Sequence, residues 1–159
     1  MGRAAVRQAM TNWLDGAIPS VTAVYSSTPK IIPGTQFEAG VPPGTMTSAV
    51  IVVHFRESFD HRIAMGGQKE VTHNVVLYVR VHSRQPDSED AMADADAIYD
   101  DLIAYLRTNK QLGSPTTIFL AGEDPNGDLR ITTDAMQSDR GSLWQFSTVE
   151  VSVKEIVTA

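Results

Sequence analysis

Between residues 71 and 112 the chain passes from a strictly alternating strand, through a tight break, into a long acidic helix. In the segment Val71 to His82, residues Val71, Val75, Leu77, Val79 and Val81 share one parity. A period of two places them on a single sheet face, which then requires cover. The next segment supplies it: at 100° per residue, Ala91, Met92, Ala95, Ile98, Tyr99, Leu102, Ile103 and Leu106 fall within an arc of about 140°. Strand and helix together predict a two-layer α+β domain, and neither carries a reaction centre.

The flanking sequence fills in that plan. Residues 2–15 predict a first helix with Val6, Ala9, Met10, Trp13 and Ala17 on its apolar arc. Asp15-Gly16 closes it, because glycine accepts the left-handed backbone that ends helices. Val21–Tyr25 is a short strand, and Pro29 to Thr45, dense in Pro and Gly, is a long loop of the kind that carries function. The apolar run Ala49–Phe55 predicts a central strand covered on both faces. Residues 56–69 then reach out and return through Met65-Gly66-Gly67-Gln68 as an extended β-hairpin.

The acidic helix is expected to start near Ser88, with Asp87 or Ser88 as its cap, and to end near Leu112 before Gly113 and Pro115. Thr116–Ala121 and Leu129–Thr133 read as strands joined by a turn at Pro125-Asn126-Gly127. The last strand, Trp144–Val157, shifts phase: Trp144 and Phe146 are even, whereas Val149, Val151, Val153 and Val157 are odd. That shift predicts a β-bulge near Ser147–Thr148. The fold expectation is therefore a single α+β domain over 1–159. It has a mixed or antiparallel sheet, a projecting hairpin, and two α-helices packed on one face.

Charge is concentrated. Residues 87–101 hold seven acids (Asp87, Glu89, Asp90, Asp94, Asp96, Asp100, Asp101) and no Lys or Arg, while the rest of the chain, with 13 bases against 12 acids, is near neutral. A nucleic-acid binder needs a broad basic footprint, so sequence-specific nucleic-acid recognition is not expected. With no cysteine, disulfides and thiolate metal sites are excluded. No run approaches the roughly 20 apolar residues of a membrane span, and the expectation is a soluble protein made inside the cell.

Candidate chemistry is sparse. His54, His61, His73 and His82 lack the spacing of metal ligands, and His73 and His82 have opposite parity. Gly66-Gly67 is followed by a strand and no Lys-Ser/Thr pair, so it reads as a turn and not a phosphate loop. Ser27 and Ser48 lack a nucleophile-elbow context. Neither an enzyme nor a cofactor is expected. Trp13 and Trp144 read as core aromatics, with interface anchoring as the alternative. Arg80, His82 and Arg84 cluster at one strand end, and with Thr72, Asn74 and Tyr78 they make one sheet face polar. The acids form two helix stripes, Asp90-Asp94-Asp101 and Glu89-Asp96-Asp100, read as a solvated face or a docking face.

The run Arg62-Ile63-Ala64-Met65-Gly66-Gly67 before the alternating strand, the helix Asp94–Leu106 ending in Gly113, and Trp144-Gln145-Phe146 leading into Val149–Val153 resemble the tail terminator (tail completion) proteins of long-tailed bacteriophages. The resemblance spans roughly residues 3–157. It implies an α+β subunit that closes into a homohexameric ring, caps the tail tube and presents the surface joined by the head–tail connector. It also implies a place in the virion after assembly in the host cytoplasm, with DNA passing through the lumen and no membrane partner. The implied contacts are the 56–70 hairpin with Arg62 and Lys69, the 33–45 loop, the Arg80 and Arg84 face, and Asp94, Asp100 and Asp101 on the helix. Two alternatives remain: another neck or tail component of related fold, and a small ligand-binding or enzymatic domain with its pocket under the 33–45 loop.

Overall fold

The alternating segment is the middle of the architecture. The computed structural model describes residues 2–28, 45–62, 67–108, 118–120, 129–139 and 142–158. Its elements are α1 (Arg3–Leu14), β1 (Val21–Tyr25), β2 (Thr47–Arg62), β3 (Gln68–Ser83), α2 (Ser88–Thr108), β4 (Ile118–Leu120), β5 (Arg130–Thr133), β6 (Gln137–Asp139) and β7 (Ser142–Thr158). The sheet runs β1-β2-β3-β7, and β4, β5 and β6 follow one another along the remaining edge of β7. Only β1 lies parallel to its neighbour, so the sheet is mixed.

The expected hairpin forms, with β2 and β3 paired from Thr47↔Ser83 to Arg62↔Lys69. β7 runs beside β3 over the same length, from Ser83↔Leu143 to Gln68↔Thr158. The hairpin arm is therefore three strands wide, and the third strand stiffens a pair that would be marginal alone. Gly67, at φ 84°, takes the left-handed backbone as the chain enters β3. The expected 33–45 loop and the Pro125-Asn126-Gly127 turn fall outside the described residues, Thr45 apart.

Both helices lie on one face. Odd residues of β2 (Ala49, Ile51, Val53, Phe55), β3 (Val75 to Val81) and β7 (Val149, Val151, Val153) form one cluster with Val6, Met10 and Leu14 of α1 and Ala95, Ile98, Leu102 and Leu106 of α2. The second helix starts where expected: the Glu89 N–H donates to Asp87 Oδ1 at 2.8 Å, and the first acids favour the positive end of the dipole. After α1, Gly16 at φ 71° closes the helix as its sequence suggests.

Three expectations change. On α1 the buried residues are Val6, Met10, Thr11 and Leu14, so the core face extends toward Thr11 and Leu14, with Trp13 and Ala17 partly buried against it. Met92, placed in the apolar arc of α2, is 49% exposed. β4 and β5, both expected as strands, each add separately to β7, and the unforeseen β6 follows them. Finally, β7 has no bulge. Its register with β3 is unbroken, and the irregularity lies in β2 between Phe55 and Glu57.

The apparent phase shift in β7 has a chemical cause. Its odd positions stay on the core face throughout, but Gln145 and Ser147 are polar because they serve the buried hydroxyl of Tyr99. Tyr99 Oη donates to Gln145 Oε1 at 3.1 Å, so the Ser147 hydroxyl donates to Tyr99, and Gln145 Nε2 donates to the Asp134 carbonyl at 3.0 Å. This relay joins α2, β7 and the residue after β5. Burial pushes the Tyr99 phenol up from its ordinary pKa; the Ser147 bond works the other way and Asp96 adds to the rise.

Substitutions should separate the two apolar positions on α2. Leu102→Ala, at a fully buried site, is expected to lose about 2–5 kcal/mol in denaturant unfolding. Met92→Ala is expected to change stability by less than about 0.5 kcal/mol. A large loss at Met92 would mean that the helix face is rotated from the one described.

Candidate functional site

Cross-strand register defines the sheet face that the helices leave uncovered. Successive rows across β2, β3 and β7 are Ser48–His82–Trp144, Val50–Arg80–Phe146, Val52–Tyr78–Thr148 and His54–Val76–Glu150. Past the bulge come Glu57–Asn74–Ser152 and Phe59–Thr72–Lys154. The distal rows are laced with polar contacts: Asn74 donates to Glu57 at 2.7 Å, Ser152 donates to Asn74 at 3.2 Å, and Lys154 pairs with Glu70 at 3.1 Å. The proximal rows differ. They hold a groove of about 310 Å³ lined by Val50, Val52, Tyr78, Arg80, Phe146 and Thr148, with Thr132 and Asp134 on its β5 side.

Arg80 and Trp144 organise this end. The guanidinium carbon stands 3.8 Å from the Trp144 ring centroid and 5.4 Å from that of Phe146. The His82 imidazole stacks on Trp144 at 3.5 Å and 14°. Two groups this close to one ring centroid must occupy its opposite faces, so the indole is clamped between a cation and an imidazole. Cation–π contacts of this kind contribute about 0.5–2 kcal/mol. Tyr78 and Phe146 stay 45% and 44% exposed at the mouth of the groove.

His82 is the chemically unusual member. It is 6% exposed, and neither Nδ1 nor Nε2 finds a hydrogen-bond partner among the described residues. Burial first, then the charges of Arg80 and Arg84, push its pKa down to about 4. The ring is therefore neutral at physiological pH, with a buried donor and a buried acceptor both unmet among the described residues.

The seven residues expected at interfaces fall into three separate patches. Arg80 and Arg84 join His82 and Trp144 on the uncovered face. Lys69 faces Arg62 across the hairpin end, eleven residues and roughly 36 Å along β3 from Arg80. Lys69 lies 3.7 Å from Asp60, while the Arg62 side chain is outside the described residues. The third patch is α2, on the other side of the sheet, where Asp100 and Asp101 are exposed. Asp94 is half-buried, accepting from the Thr47 hydroxyl and from Gln85 Nε2, and so ties α2 to the start of β2. The expected polar face is corrected as well: Thr72, Asn74, Tyr78, Arg80 and His82 share it with Val50, Val52, Val76, Trp144 and Phe146. Trp144 is thus not a core aromatic, although Trp13 does pack inward against Tyr105 at 4.9 Å.

One further constellation has the composition of a hydrolytic triad. Ser58 Oγ lies 2.8 Å from His73 Nδ1, and His73 Nε2 lies 3.3 Å from Glu155 Oε2. At 2% and 1% exposure, His73 and Glu155 are sealed from substrate, and the trio takes one residue from each strand of the arm. It acts as a clamp that locks β2, β3 and β7 together. No group of three or more His, Asp or Glu among the described residues could hold a metal ion, and no described helix is long and apolar enough to cross a membrane.

The depressed pKa of His82 has a definite sign. The unfolded chain, with an imidazole near 6.5, binds a proton before the folded one does, so stability falls as pH drops from 6.5 toward 4. Denaturant unfolding of wild type should lose up to about 3 kcal/mol more across that window than His82→Gln, which has nothing to titrate there. Parallel pH curves for the two proteins would show that His82 is not the buried base described. Compared with known proteins, the chain matches no protein-family model and no curated protein sequence.

Proposed function

We propose that this protein is a structural virion-assembly subunit of the tail terminator type. It acts by stoichiometric binding: copies form a ring that caps a phage tail tube and offers the joining surface to the head–tail connector. The observation that carries the reading is the arm. A hairpin of 16-residue strands is braced by β7 to its end and fixed internally by the Ser58–His73–Glu155 clamp, with Arg62 and Lys69 in register at that end. A rigid arm is suited to gripping a partner, because little order has to be created on binding.

A second reading, a ligand-binding domain, draws on the groove beside Arg80, which joins apolar walls to a single guanidinium. Thermal shifts with small carboxylates would support it, and it would fall if none raised the melting temperature.

The terminator reading is tested on cognate tail tubes. Arg62→Glu combined with Lys69→Glu should sharply reduce joining of tubes to filled heads while leaving the unfolding midpoint within a few degrees of wild type. Light scattering over a concentration series should meanwhile give six times the 17.3 kDa chain mass, in solution or once tubes are added. Normal joining by the double variant would remove the arm from the mechanism. Failure of the wild-type chain to bind tubes would remove the assignment.

A further inference from the structure

The sheet face opposite the helices and the exposed side of α2 have complementary chemistry, and they lie on opposite sides of one sheet. The groove presents apolar walls, with Tyr78 and Phe146 at the mouth and Val50 and Val52 at the floor; Arg80 and His82 follow along β3 from there, and Arg84 lies just past its end. The helix presents the converse. Met92 is 49% exposed, and Glu89 and Asp96, three residues before and four after it, share its stripe; Asp100 lies one turn beyond Asp96. Among the described residues Glu89, Asp90, Asp96, Asp100 and Asp101 take part in no ion pair. An apolar side chain flanked along its stripe by carboxylates thus lies on one side of the sheet, and an apolar groove ending in cations lies on the other.

We infer that these two surfaces dock between copies of this chain, with Met92 of one copy entering the groove of the next and Glu89, Asp96 and Asp100 lying against its Arg80 and Arg84. The sheet separates helix from groove within one copy, so a single chain cannot join them. The contact is therefore heterologous, with different patches on the two sides, and successive copies add head to tail until the rotation closes. Asp134, the acid on the β5 side of the groove, sets the orientation: the carboxylates must lie toward Arg84, away from it. Docking also removes the like-charge repulsion along α2, which in a free subunit only water and salt screen. The inference takes from the terminator reading only that copies associate; the surfaces and their polarity are its own content.

The chain has no cysteine, so single introduced thiols report the contact directly. Met92→Cys and Phe146→Cys, both at exposed positions, are purified separately, mixed, and treated with a short bismaleimide. A cross-linked dimer is expected in the mixture and not with either variant alone. No dimer in the mixture overturns the inference, as does equal dimer from one variant alone, which would mean a symmetric contact. Charge reversal gives an independent arm: Arg84→Glu or Asp96→Lys alone should weaken association about tenfold in Kd, and the variant carrying both should recover most of it. No effect of either reversal, or no recovery, counts against the pairing. Tube joining by the same variants keeps the two readings apart. Copies that cross-link as expected but ignore tubes retain this contact and lose the terminator function. Copies that join tubes without this cross-link retain the function and lose the contact.

Discussion

The unbroken ladder between β3 and β7 is the constraint on which the other parts depend. Sixteen residue pairs in constant register set which side chains of both strands face the helices and which face away. Because β3 takes one edge of β7 completely, the short strands β4, β5 and β6 have only the other edge, and they occupy it in succession. The same ladder carries β7 to the end of the hairpin, so the arm is as deep in hydrogen bonds as the body. A one-residue slip would place Val149, Val151 and Val153 on the uncovered face and expose Tyr99 to a buried surface without partners.

The irregularity in β2 after Phe55 has a role within that frame. Before it, odd residues of β2 face the helices; after it, Ser58 takes that side, directly across from His73. The bulge thus builds the Ser58–His73–Glu155 clamp and turns Phe59 to the uncovered face, where it is 52% exposed. Body and arm share one sheet but have opposite requirements, an apolar interior in one and a closed polar trio in the other. The parity change at Arg56 is where one gives way to the other. Arg3 of α1 marks the boundary from the helix side, donating to the Phe55 carbonyl at 3.2 Å.

Much of this was legible in the sequence, and the misreadings share a cause. Periodicity located α1, α2, β1, the hairpin and the terminal strand because each buries one apolar face, and that pattern survives without knowledge of neighbours. It failed where side-chain polarity and side-chain direction part company. Gln145 and Ser147 point inward to meet Tyr99, while Trp144 and Phe146 point outward to meet Arg80, so polarity alone mimics a bulge. Met92 failed similarly: a wheel places it near Ala91 and Ala95, but only the packed sheet decides where the buried arc ends. The site was half visible. Arg80, His82 and Arg84 stood out as a polar cluster, but their partnership with Trp144 and Val50 exists only through cross-strand register, which a single strand does not encode.

The location of the unusual chemistry bears on what kind of protein this is. Several buried polar groups are answered by others: Tyr99 by Ser147 and Gln145, His73 by Ser58 and Glu155. His82 differs: it is stacked on Trp144 with neither nitrogen matched among the described residues, and leaving a buried donor or acceptor unmet costs roughly 1–3 kcal/mol. It sits on the face opposite both helices, next to two exposed aromatics, whereas the acids that take part in no ion pair among the described residues sit on the exposed side of α2. Unmet hydrogen bonding, exposed aromatic area and unscreened charge therefore gather on the two outward surfaces of a two-layer fold. If copies dock as inferred above, each contact answers one deficit on each partner, whereas a single partner of another kind would answer only one of them.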